Sequence, residues 1–192
     1  MSTFAFSGIM ILLYLAIMAL AVISYVFQSK GLSRMAVLRG MKAPWLAWVP
    51  GANMWLKGKI ADHFDDTRRG ENKSFAKTYV IVSVIMTVLL SIASVVYTVS
   101  TTLAAVSGTA AFEDAVTRYI LTYVVIVLVI TLPAMIIEYI VYYKIYASAA
   151  PHQAVVLLVF SIIFPVIMPF AVYALRERTD GLKISEEPKG DI

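Results

Sequence analysis

Glu138 is the only carboxylate inside an uncharged apolar stretch of this 192-residue chain. An acid in such a place is costly to bury, which makes it a candidate for proton or cation handling. The structural alternative is pairing. Tyr139, Tyr142, Tyr143, Tyr146 and Lys144 cluster around it, so a snorkelling Lys144, Arg34 or Lys57 from an earlier loop, or a tyrosine hydroxyl is a fitting partner. Asp62, His63, Asp65 and Asp66 are the one cluster with metal-ligand chemistry, since Asp62 and Asp66 fall one turn apart on a helix and a neutral imidazole can join them. Arg68, Arg69 and Lys73 follow closely, and a solvated charge cluster around the turn at Gly70, Glu71 and Asn72 is the simpler expectation. His152 has no sequence partner for nucleophilic catalysis. There is no glycine-rich P-loop, no HExxH and no G-x-S-x-G elbow, and with no cysteine there is neither a thiol nucleophile nor a thiolate metal site. The expectation is a protein with no catalytic residues, no metal and no cofactor.

Those few polar groups are held by elements whose solvent is lipid. Hydrophobic residues make up 60% of the chain and charged ones 15%, too apolar for a water-soluble fold to hide. Four stretches without charge, or with Glu138 alone, predict transmembrane helices over 4–27, 79–106, 119–143 and 154–175, because about 20 apolar residues cross a bilayer core. The fold class expected is an all-α integral membrane protein of about four spans, a single transmembrane domain over 1–178 with a disordered polar tail over 179–192. Nothing like a basic n-region precedes the first stretch, so it reads as a retained helix and not a removed signal. Pro133 falls within the third helix, where its ring removes a backbone bond. Pro165 and Pro169 fall within the fourth. One kinked span suits the length of 154–175 and is the expectation; a re-entrant hairpin is the alternative, and it would reverse the side of the C-terminus.

Charge is uneven between the loops. Lys30, Arg34, Arg39, Lys42, Lys57, Lys59, Arg68, Arg69, Lys73 and Lys77 face only Asp62, Asp65, Asp66 and Glu71 in loop 30–77, whereas the loop after the second helix carries Glu113, Asp114 and Arg118. The positive-inside rule makes 30–77 cytoplasmic and the N-terminus external in the cell membrane. Within that loop Leu32, Met35, Leu38 and Met41 recur three apart, predicting a short amphipathic helix with Arg34, Arg39 and Lys42 on its other faces. Segment 43–56 then carries Trp45, Trp48 and Trp55, all the tryptophans of the chain, and is broken by Pro50 and Gly51. It is too short to span and too apolar for water, so an interfacial or re-entrant element is expected, with Asn53 near its turn as a backbone cap or as part of a polar path.

The run from Lys42 to Asp62, with Trp45, Trp48, Pro50, Asn53 and Lys57-Gly58-Lys59-Ile60-Ala61-Asp62, resembles the tryptophan, proline and asparagine motif of small, uncharacterised multi-pass membrane proteins of bacteria, a group that includes domains of unknown function. Tyr143-Lys144-Ile145-Tyr146, Pro151, Ala154, Ser161 to Pro165, Pro169 and Arg176 are similar to the end of the same proteins. The resemblance implies a multi-pass membrane location and brings no substrate with it. The function expected is therefore non-catalytic, with Arg34, Arg39, Lys42, Trp45, Trp48, Trp55, Lys57 and Lys59 as candidates for binding anionic lipid or a membrane-protein partner, and no role in nucleic-acid binding. The alternative is a small oligomeric transporter or channel subunit, assembled as a homo-oligomer, with a path near Glu138 and Asn53.

Overall fold

A computed structural model describes residues 3–69, 74–107 and 112–182. The expected turn at Gly70, Glu71 and Asn72 and the tail beyond Leu182 lie outside what is described, as do the side chains of Glu113, Asp114 and Arg118, whose backbone begins α4. The described chain is all-helical, with helices α1 (Thr3–Leu38), α2 (Ala52–Arg69), α3 (Phe75–Ser107), α4 (Phe112–Ala149), α5 (Ala154–Ile163) and α6 (Ile167–Ala174), and short 3₁₀ helices at Pro44–Trp48 and Asp180–Leu182. Within them Gly8–Leu38, Phe75–Leu103 and Ile120–Ala149 are long and apolar enough to cross a membrane. The fold is that of an all-α membrane protein. Contacts divide the chain into two units, Met1–Ala76 with Val141–Ile192, and Lys77–Ile140.

In the first unit, α1 is one helix of 36 residues, about 54 Å long. The separate amphipathic helix expected over 32–41 is its continuation, as far as Leu38. Nothing breaks the helix before Gly40, whose φ of 67° ends it, and Gly31 is kept inside because α6 crosses there. Leu32 and Met35 are fully buried, so the first half of the apolar stripe faces protein and not the headgroup layer, while Leu38 is exposed at the end of the helix. Upstream, Ile9, Leu12, Tyr14 and Ile17 are all more than half exposed, as suits a helix surrounded by hydrocarbon.

The continuous fourth span expected over 154–175 does not form. Pro165 has no N–H to give to Ser161, α5 stops at Ile163, and the chain turns through Phe164, Pro165 and Val166. Pro169 lies in the first turn of α6, where a missing N–H costs no helical bond. Phe27 packs at a tilt against Phe170 and edge-to-face with Tyr173, Gly31 meets the backbone of Val172 and Tyr173, and Arg34 pairs with Glu177 at 3.0 Å, so α6 runs parallel to α1. The Arg178 guanidinium is 3.5 Å from the Gln153 amide oxygen, joining the two ends of the hairpin. A kinked single span would hold those residues on opposite sides of the bilayer. Ten residues of α5 reach about 15 Å, half the hydrocarbon core, and the exposed tip carries Ile162, Ile163, Phe164 and Val166.

The expected disorder of the tail does not begin at Thr179. Gly181 is buried against the end of α4, so close that a Cβ there would lie 1.9 Å from the Ala147 carbonyl oxygen. Arg39 ties the same end of α4 to α1. Its guanidinium donates to the Met35 carbonyl at 2.9 Å and to Ser148 Oγ at 2.7 Å, and Tyr146 and Ser161 join α4 to α5 through their hydroxyls at 3.0 Å.

In the second unit, α3 and α4 lie side by side. Ser94 Oγ and the Tyr123 hydroxyl are 3.0 Å apart, and Tyr97 stacks on Tyr123 with centroids 4.5 Å apart. Thr87, Ser91, Thr98 and Thr102 donate to carbonyls one turn back, which satisfies their hydroxyls within apolar surroundings. Helix α4 passes through Pro133 without interruption.

Candidate functional site

The chain leaves α1 at Gly40, doubles back beside it, and turns again at Gly51, whose φ of 85° suits glycine alone among common residues. The Tyr25 hydroxyl donates to the Trp48 carbonyl at 2.7 Å. Tyr25 precedes Arg39 by fourteen positions, about 21 Å along a helix, so the connector returns well down α1 before α2 starts. Between the outgoing connector and α2 lies a groove of about 390 Å³. Met41, Lys42 and Leu46 form one wall; Trp55, Lys59, Asp62, His63 and Asp66 form the other. Positions 55, 59, 62 and 66 fall on one face of α2 because each step is three or four residues, and 63, four after 59 and three before 66, borders the same face. Lys59 Nζ stands 5.1 Å from the Trp55 ring centroid, a cation–π contact that holds the ammonium over the indole in the groove wall.

The acidic cluster is divided among separate tasks. Asp62 accepts from the Phe75 and Ala76 amides at 2.8 and 3.1 Å and caps α3. Burial raises its carboxyl above the usual range, against the pull of those two amides and of Lys59. Asp65 turns the other way, to Lys144 Nζ at 2.5 Å, and that ammonium also sits 4.3 Å from the Phe75 ring centroid. No three metal-ligating side chains gather among the described residues. Asp66 is exposed in the groove and makes no ion pair among the described residues.

His63 is held below its ordinary pKa, by burial first and then by the charge of Arg39. An unfolded chain binds this proton near pH 6.5 and the folded one only at lower pH, so this contribution is complete above pH 6.5 and is lost as pH falls from there toward the folded value. The acid limb of a Tm against pH profile is expected to be shallower in His63→Gln below about pH 6.5. An unchanged limb would show that His63 titrates alike in both states.

The candidate residues separate into different places. Lys42, Trp55 and Lys59 meet in the groove. Trp45 and Trp48 are exposed beside it, 62% and 43% accessible, where an interfacial ring belongs. Arg34 is taken by Glu177. Two candidate surface cations are corrected by burial: Arg39 is 8% exposed, with its pKa lowered to about 10 by burial, and Lys57 is 5% exposed, 5.2 Å from the Tyr142 ring centroid. Both are held by protein and are not presented to a headgroup. Asn53 is half-buried in the first turn of α2; its backbone N–H donates to the Val49 carbonyl at 3.1 Å, but its side-chain amide makes no hydrogen bond among the described residues, so the side chain caps nothing. In the second unit the Tyr79 hydroxyl donates to Glu138 Oε2, which supplies the tyrosine partner among the possible ones. Lys144 and Arg34 are engaged elsewhere. Leu46 is a groove residue without a signal of its own in the sequence, and Met41, His63 and Asp66, expected in an amphipathic helix and a solvated charge cluster, also line the groove; the helical spacing of 55, 59, 62 and 66 is the signal that points to the α2 wall.

Compared with known protein families, curated proteins and solved structures, the chain matches none.

Proposed function

We propose that this membrane protein is non-catalytic and binds the phosphate of a lipid headgroup in the groove between its connector and α2, on the cytoplasmic face of a bacterial cell membrane. The supporting observation is that Lys42 and Lys59, seventeen positions apart, line one groove whose neighbours are Trp55 and Leu46. A cation pair beside apolar and indole surface suits the border between phosphate and acyl chain. Orientation follows from charge: the return of α6 brings Arg176 and Arg178 to the face that carries Arg34 and Lys42, so the positive-inside rule sets this face in the cytoplasm and the N-terminus outside.

Native mass spectrometry of the detergent-purified protein with phosphatidylglycerol is the test. Each near-surface lysine contributes roughly 1 kcal/mol to anionic lipid binding. The double variant Lys42→Ala with Lys59→Ala is therefore expected to lose about thirtyfold in affinity. Equal lipid retention by the two proteins would remove the groove from any lipid-binding role.

A further inference from the structure

The groove has an order along its length as well as a charge. Helix α2 starts beside Trp48, whose carbonyl is held at Tyr25, and climbs back toward the level of Gly40 where α1 ends. Trp55 and Leu46 therefore occupy the membrane-side end, Lys59 follows one turn further out, and Asp66 stands nearly two turns beyond Lys59, about 10 Å along the axis. From hydrocarbon to water the sequence of surfaces is apolar ring, cation, carboxylate.

We infer that the groove selects a phospholipid whose headgroup carries a primary amine beyond the phosphate, with the glycerol end against Trp55 and Leu46, the phosphate at Lys59 and Lys42, and the ammonium at Asp66. This rests on the phosphate reading above and adds the class of headgroup. An anionic headgroup without an amine, such as phosphatidylglycerol, sets neutral hydroxyls at Asp66: they can donate a hydrogen bond, but the carboxylate charge beside the nearby Asp62 stays uncompensated. A quaternary ammonium relieves the charge but has no N–H to donate to a carboxylate. A primary ammonium does both, and a charge-assisted N–H···O⁻ bond is among the stronger polar contacts. Asp66 is available for it: its carboxylate is exposed, and neither an ion pair nor a hydrogen bond occupies it among the described residues.

The full-length protein in detergent is titrated with phosphatidylethanolamine, phosphatidylglycerol and phosphatidylcholine of matched acyl chains, and bound lipid is read by native mass spectrometry. Phosphatidylethanolamine is expected to bind at least fivefold more tightly than either of the others. Asp66→Asn, an isosteric change at an exposed position, is expected to abolish that preference while phosphatidylglycerol binds as well or better. Lys59→Ala is expected to weaken all three. Soluble phosphoethanolamine, with nothing to lay on Trp55, is expected to bind at least tenfold more weakly than the lipid, and equal binding would overturn the lipid assignment. Phosphatidylglycerol binding as tightly as phosphatidylethanolamine, or a preference untouched by Asp66→Asn, overturns the amine assignment and leaves the phosphate reading standing. If none of the three lipids binds, both fall.

Discussion

Gly31→Leu is expected to lift the α5–α6 hairpin off α1 and to lower Tm by roughly 6–12 °C, from an overpacking cost of about 3 kcal/mol at ~2–4 °C per kcal/mol for a chain of this size. The reason is the distance of approach. A single Cβ on Gly31 would lie 2.9 Å from the Tyr173 nitrogen and from the Val172 carbonyl carbon, and backbone atoms cannot rotate away as a flexible side chain can. Gly31→Ala gains helix propensity of about 1 kcal/mol but meets the same backbone, so a smaller loss is expected. The chain has no cysteine, so a crosslink made by a short thiol-reactive bismaleimide between Arg34→Cys and Glu177→Cys, positions whose long side chains meet tip to tip, reports the docking without background. It is expected to form in the otherwise unchanged protein and to form at least tenfold more slowly alongside Gly31→Leu. Equal crosslinking in both would mean that α6 does not depend on this crossing.

Arg39→Ala is expected to be the most damaging replacement of a charged residue. Its guanidinium is buried at the C-terminal ends of two helices, α1 through the Met35 carbonyl and α4 through Ser148, where the helix dipoles favour a cation. Each hydrogen bond to a charged group is worth about 1.5–3 kcal/mol, and the recovered solvation of the missing charge offsets part of the loss. A net destabilisation of about 2–3 kcal/mol follows, read as a lower Tm in detergent. Arg39→Lys keeps the charge but not the planar fork that reaches both acceptors, and is expected to recover about half. A headgroup cation would behave in the opposite way, losing lipid affinity at unchanged Tm. Arg39→Ala with full thermal stability would return this residue to the surface.

Much of the architecture was legible because hydrocarbon imposes a simple rule on sequence. Every backbone group in lipid must be paired within its own segment, so a long run without charge is a helix whatever its neighbours do. The three long apolar helices follow from that rule, and their ends proved longer than the hydrophobic runs because Lys30, Arg34 and Lys144 continue the helical pattern into polar surroundings. The hairpin was not legible. The apolar stretch at 154–175 has the length of a span, and Pro165 is equally compatible with a kink and with a reversal. The choice depends on Gly31, which opens a slot in α1 for α6, and on Glu177, which meets Arg34 only when the chain returns. The groove was legible in part: Lys42, Trp55 and Lys59 stood out by type, but their convergence needs the connector to run back along α1.

Composition and charge spacing alone thus determined the solvent, the helical class and the concentration of basic residues in one connector, since these depend on local transfer free energies that each residue carries with it. Tertiary packing decided which of those cations remain available. Arg39 and Lys57 are drawn inside, Arg34 is matched by Glu177, and Lys42 and Lys59 are left facing a groove with Asp66 at its outer end. A charge keeps its identity in any fold, but whether it meets a helix end, a carboxylate or open space depends on contacts between residues far apart in the chain.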